Sequence, residues 1–448
     1  MTRNKLLICL AFVLCFCLAL SGCGKTAEPA EMPLRFAEAP DMDIAEDITE
    51  LTIKLQPGET ELLDRLTKLE SADFSGSECL DEIYAWAQAN PQVDVYYTVT
   101  LPDGTILDTG TKKLDLSKMT GTEVRAAADS LRCLPKLGSI DLGEERSSLN
   151  WEDIGYLQQA CPEANYRFKF TLYGKAFDLQ NTQLNLSHIP VDDGGAAVKE
   201  VMAYMPKLTY VDMDSCGVSN EDMAAIRDAY PDVKVVWRIW FGDKKLYSVR
   251  TDVERILASK SSVGGFVDQI SGADLKYCTE VKYLDLGHNP TLTDISFVKY
   301  MPELEVAILA MDGWSDASPL ASCPKLEYLE MQTTQCTDLS PLAELKNLRH
   351  LNVAGISSLT DISPLYELTE LERLYIGSNN MVPWEQVEAM QKAAPNCEIN
   401  TSVYDDPTGE KWRYNGNGTW NYRYYVLRKQ FGEYKDSAFS FHWNDPLY

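Results

Sequence analysis

The sequence predicts an α/β solenoid of short stacked strands and helices, preceded by about three divergent αβ units of about 70 residues with hairpin insertions. Three observations predict it. A compact apolar pattern recurs five times between Val281 and Asn379, and a longer, looser pattern recurs three times between residues 48 and 275. A chain of 448 residues is also long for one compact core, whereas units that share a continuous core with their neighbours have no such ceiling.

The compact pattern reads V-x-x-L-x-L-x-x-N at Val281, Leu284, Leu286 and Asn289. It returns at Leu304, Ala307 and Leu309, at Leu326, Leu329 and Met331, at Leu348, Leu351 and Val353, and at Leu371, Leu374, Ile376 and Asn379. The successive steps are 23, 22, 22 and 23 residues. A unit of that size cannot bury its own apolar face, so a fixed period means stacking. The stretch resembles the leucine-rich repeat, specifically the 22-residue kind of internalin-like bacterial surface proteins, over about a quarter of the chain. The resemblance implies a curved leucine-rich-repeat solenoid whose parallel strands line a concave face, and a role in binding rather than catalysis.

Residues 48–275 carry the same half-repeat in longer units. Leu66, Leu69, Ala72 and Phe74 match Leu134, Leu137, Ile140 and Leu142, and both match Met205, Leu208, Val211 and Met213. A helical segment then stops at Pro91, Pro162 and Pro231, since the residue before proline is pushed out of the helical region. Alternating runs follow, such as Tyr166-x-Phe168-x-Phe170 and Val233-x-Val235-x-Trp237, each broken by glycine at Gly104, Gly174 or Gly242. Period-two runs around a glycine turn read as hairpins. Further strands are expected at Leu51–Leu55, Leu114–Leu116 and Leu184–Leu186.

Within residues 276–400 the strand side chains alternate, so Leu284 and Leu286 point to the core while their neighbours point to the concave face. The expected ligand-binding positions are one column of Tyr283, Val306, Tyr328, His350 and Arg373, and a second of Asp285, Ile308, Glu330, Asn352 and Tyr375. They are read as open to solvent, with tyrosine and arginine as contact anchors. On the return leg, Ser318-Pro319, Ser340-Pro341 and Ser363-Pro364 read as helix starts. The aspartates before them, Asp294, Asp316, Asp338 and Asp361, read as turn and capping groups. One carboxylate per unit is too few for calcium. Trp384–Ala394 and the strand around Ile399 are expected to cap the stack.

The N-terminus gives an address. Arg3 and Lys5 precede the apolar run Leu6–Leu20, and Leu20-Ser21-Gly22-Cys23 follows. This resembles a bacterial lipoprotein signal with its lipobox. The resemblance implies cleavage after residue 22, lipidation of Cys23 and anchorage to the outer face of the cell membrane. Fifteen apolar residues fall short of the roughly 20 that span a bilayer. Residues 23–47, rich in Ala, Pro, Glu and Asp, read as an acidic flexible tether.

Residues 401–448 form an aromatic-rich tail in which Trp412 and Trp420 are the candidate glycan-stacking platforms. The competing expectation is that these rings pack against the solenoid, because so many exposed rings would aggregate. A formal net charge of −26 argues against nucleic acid as a partner. Eight of the 12 cysteines lie beyond Cys23, singly and without a C-x-x-C pair, and read as small buried hydrophobes. No metal, cofactor or catalytic motif is legible. The leading expectation is a non-enzymatic, lipid-anchored surface protein that binds a protein ligand. The alternative is a cell-wall or glycan binder using the tail.

Overall fold

The computed structural model describes residues 33–245, 247–259, 266–377, 379, 381–401 and 412. Cys23 and Trp420 lie outside the described residues. Two compact units are formed, one by residues up to 111 with 126–137, the other by residues 112–125 with 138 onward.

In the first unit, Glu50–Thr52 (β1), Ser71–Asp73 (β2) and Asp94–Tyr96 (β3) form a parallel sheet in which Leu51, Ala72 and Val95 share one register row. Thr98–Thr100 (β4) and Ile106–Asp108 (β5) make the expected antiparallel hairpin. Residues 33–47, expected as a tether, are partly folded here. Leu34 and Phe36 are buried, Leu34 bridges Ile44, and Glu59 accepts the Ala37 N–H at 2.6 Å. Two alternating apolar residues are too short a run to register as a strand by period.

The second unit repeats this plan twice. Lys113–Asp115 (β6), Ser139–Glu144 (β7) and Asn165–Leu172 (β8) are parallel, and Lys175–Asp178 (β9) returns antiparallel to β8. The two-residue turn at Tyr173 and Gly174 has φ of 49° and 79°, the mirror-image geometry that matches strand twist. Gln183–Asn185 (β10), Tyr210–Asp212 (β11) and Lys234–Val236 (β12) are again parallel, and Arg238–Phe241 (β13) pairs with Tyr247–Arg250 (β14) as a hairpin. The helices before Pro162 and Pro231 end at Ala160 and Ala229. Cys161 and Tyr230, each preceding a proline, take ψ of 65° and 70°, outside the helical well that the next ring forbids.

Seven parallel strands then stack in chain order: Arg255–Leu257 (β15), Tyr283–Asp285 (β16), Val306–Ile308 (β17), Tyr328–Glu330 (β18), His350–Asn352 (β19), Arg373–Tyr375 (β20) and Glu398–Asn400 (β21). Ile256, Leu284, Ala307, Leu329, Leu351 and Leu374 occupy one register row, all fully buried. Each buried leucine contributes roughly 1.5 to 3 kcal/mol, and no copy has this row without its neighbours. The sheet begins at Arg255, upstream of the boundary expected at 276. Arg255-Ile256-Leu257-Ala258 has the alternation but none of the flanking leucines that mark the later copies.

The return legs are 3-10 helices at Ser296–Tyr300, Ser318–Ser322, Ser340–Glu344 and Ser363–Glu367, where the earlier units have α-helices of about ten residues. The tighter helix rises further per residue, so it spans the shorter repeat with fewer residues. Asp294, Asp316, Asp338 and Asp361 accept the N–H of the serine two positions on at 2.7–2.9 Å. These hydrogen bonds from Ser340 and Ser363 hold the Asp338 and Asp361 carboxyls below the ordinary range. All eight cysteines beyond Cys23 are buried free thiols. Burial pushes Cys323 up to about 12.

Candidate functional site

The strands β16 to β20 turn one face to the core and the other toward a second layer of side chains. On that second face the register aligns Tyr283, Val306, Tyr328, His350 and Arg373 in one row and Asp285, Ile308, Glu330, Asn352 and Tyr375 in the next. Both rows were expected to be solvated. Instead Tyr283, Val306, Ile308, Tyr328 and Tyr375 form an apolar cluster around Trp412, with Leu257 and Ala354 packed against it. Trp412 is itself 0% exposed.

Trp412 is held at its indole N–H, its ring and its carbonyl. Its Nε1 donates to Glu330 Oε1 at 3.1 Å. Its ring lies 5.5 Å from Tyr328, 5.4 Å from Tyr375 and 6.3 Å, edge-on, from His350. The Arg373 guanidinium sits 4.6 Å from the ring centroid while Nη1 donates to the Trp412 carbonyl at 3.0 Å. Glu330 is fully buried and also accepts from Tyr328 Oη at 2.5 Å and from Gln332 Nε2 at 3.3 Å. A buried carboxylate requires such donors, since an unsatisfied one would cost several kcal/mol. His350 is buried beside the Tyr328 ring, with Nε2 3.6 Å from Glu372.

No family profile matches the sequence, and no curated protein matches it. Solved structures similar to it include an internalin, InlF, from Listeria monocytogenes, at 18% identity over 79% of this chain and 81% of that one with a TM-score of 0.31. Internalin C2 of the same bacterium shares 15% identity over 63% and 84% of the two chains, with a TM-score of 0.27. A leucine-rich-repeat protein of Leptospira interrogans shares 14% over 78% and 93%, with a TM-score of 0.22. By its own geometry, short parallel strands stacked in chain order, those from Tyr283 to Tyr375 at a step of 22 or 23 residues, the segment from Arg255 to Asn400 has the leucine-rich-repeat solenoid fold.

Two of the expected contact residues have structural duties in the solenoid. Asp285 and Asn352 accept the N–H two residues on, at Gly287 and Ala354, at 3.1 and 3.0 Å. Asp73, Asp115, Asp141, Asn185 and Asp212 do the same at 2.8–3.1 Å. Asp and Asn recur at the strand end because their short side chains close the turn that leaves it. The Asn289 position serves the same turns from inside. Asn289 Nδ2 donates to the Ala258 carbonyl at 3.2 Å, and Asn379 Nδ2 to the Val353 carbonyl at 2.7 Å. In the second copy Asp312 stands at this place, accepts the Asn289 N–H at 2.7 Å, and is pushed up to about 9 by burial.

Trp412, a candidate glycan platform, instead packs against the solenoid, the other of the two expectations for the tail, because its apolar ring area is better satisfied against tyrosines than in water. The Glu330–Trp412 contact joins positions 82 apart, and no sequence periodicity links the tail to a particular strand. Tyr210, Asp212, Asp214, Arg238, Arg250 and Asp252 form a second, unforeseen polar cluster where the β13–β14 hairpin meets β11. Arg238 grips Asp214 with two bonds of 2.8 Å, and Arg250 reaches Asp212, Asp252 and the Tyr210 hydroxyl. Burial opposes the charge on Asp214, but Arg238 and Ser215 overcome it and hold its carboxyl low. Among the described residues, no group of three His, Cys, Asp or Glu side chains could hold a metal, and no helix is long and apolar enough to cross a membrane.

Proposed function

We propose that this chain is an exported, lipid-anchored binding protein that takes a protein partner on the sheet face of β16 to β20 and carries out no catalysis. The observation that carries the reading is the convergence of Glu330, Tyr328, Tyr375 and Arg373 on one aromatic residue, on the side of the sheet that the core rows do not use. Aromatic rings and an arginine around a desolvated centre are what a protein-binding hot spot consists of. The anchor rests on Arg3, Lys5, the Leu6–Leu20 run and Cys23.

The test is site-specific photo-crosslinking in membranes of the organism that carries the protein. A photoreactive residue at Gln332, on this face, should give an adduct with one discrete protein, and the same residue at Lys346, on a return leg, should not. Equal labelling from both positions, or none from Gln332, refutes the assignment.

A further inference from the structure

Resting on that reading, we infer that the sheet face is a tryptophan-reading seat: Trp412 is its occupant in cis, and the partner is a polypeptide presenting an accessible tryptophan that competes for it. Three observations support this. The seat reads the indole N–H through Glu330, the ring through Tyr328, Tyr375 and Arg373, and the main-chain carbonyl through Arg373 Nη1. A phenylalanine lacks the first of these groups, and a sugar lacks the peptide carbonyl.

The leucine row on the other side of the sheet makes no use of the plug. Leu284, Leu329, Leu351 and Leu374 are already fully buried on the opposite side of the sheet. A residue that only filled space would be met by apolar side chains alone, yet beside the apolar cluster a carboxylate and a guanidinium are committed to it. The seat also has unused polar capacity. Asn352 is 1% exposed, and its Nδ2 finds no hydrogen-bond partner, nor does Gln332 Oε1. Buried polar atoms of this kind are normally paired, so a longer peptide main chain would satisfy what Trp412 leaves open.

Trp412 follows Asn400 by twelve residues in the chain, so it competes as an intramolecular ligand at an effective concentration of about millimolar order. An external peptide therefore binds the intact chain with its affinity reduced by the fraction of seats left open.

The probe is a synthetic peptide copying residues 407–417, and a second copy with Trp412→Ala, titrated by calorimetry into the full chain. The Trp412→Ala chain should bind the first peptide at least about 10-fold tighter than the wild-type chain does. It should ignore the second peptide, and Arg373→Ala added to it should weaken binding by about 10-fold. Equal binding by wild type and variant, binding of both peptides alike, or displacement by muropeptide fragments but not by peptide, overturns the proposal. Should Trp412→Ala not fold, Trp412→Phe replaces it. That variant should bind the peptide better than wild type, and no gain overturns the proposal. Peptide failure with a Gln332 adduct in membranes would sink only the tryptophan assignment; peptide binding with no adduct would sink only the cellular role.

Discussion

Arg373 holds Trp412 at two points, its guanidinium 4.6 Å from the indole centroid and its Nη1 3.0 Å from the carbonyl oxygen of the same residue. Removing the ring should open the face. His350 packs edge-on against that ring and is almost wholly buried. In Trp412→Ala, His350 should become reactive to diethyl pyrocarbonate, read by mass spectrometry, while remaining protected in wild type. Unchanged protection would show that the ring is not what covers it.

Asp312 carries the clearest pH prediction. Its carboxyl is pushed up to about 9 by burial, against about 4 in an unfolded chain. The folded state thus keeps a proton that the unfolded state releases, and stability falls as pH rises from about 4 to about 9. Asp312→Asn removes that burden and keeps a side-chain oxygen for the Asn289 N–H. The variant should gain roughly 2 to 4 kcal/mol at pH 8 and little at pH 4, measured by urea unfolding at both pH values. An equal gain at both would refute the proton argument.

Asp214 shows the opposite sign. Its carboxyl lies below the ordinary range, so its contribution is present above about pH 4 and is lost as pH falls through the lower folded value. Asp214→Ala leaves the half-buried Arg238 without its bidentate partner, at a cost of about 2 to 4 kcal/mol near neutral pH. The gap from wild type should close as pH falls through and below the lowered folded value. A gap that persists would mean that packing, not charge, is lost.

Cys23 gives a cellular test. Cys23→Ala should move the chain from the membrane pellet to the soluble or secreted fraction and abolish metabolic labelling with palmitate. Continued pelleting would show that another segment anchors it.

The solenoid was legible because leucine rows at a 22-residue step have few other solutions. Leu284, Leu329, Leu351 and Leu374 superpose in one buried row as their spacing requires. The turn role of Asp294, Asp316, Asp338 and Asp361 was equally legible, since each acts on a serine two residues away. The fold of residues 33–47 is not legible in the sequence because Leu34 and Phe36 make a single step of an alternation. Packing of tail rings on the solenoid was legible in their number, but the face that Trp412 covers was not, because that residue reaches Glu330 across 82 positions and nothing local in a tail full of tryptophans and tyrosines marks which ring docks. Asp285 and Asn352 looked available because alternation tells which way a side chain points, not what it already binds.

The burial of all eight thiols, from Cys79 to Cys397, has a practical corollary. With the sulfurs spread along both units and deprotonation disfavoured, alkylation should proceed only where the chain opens. Peptide-resolved labelling against time would thus chart, repeat by repeat, the order in which the stack comes apart, with no probe added by mutation.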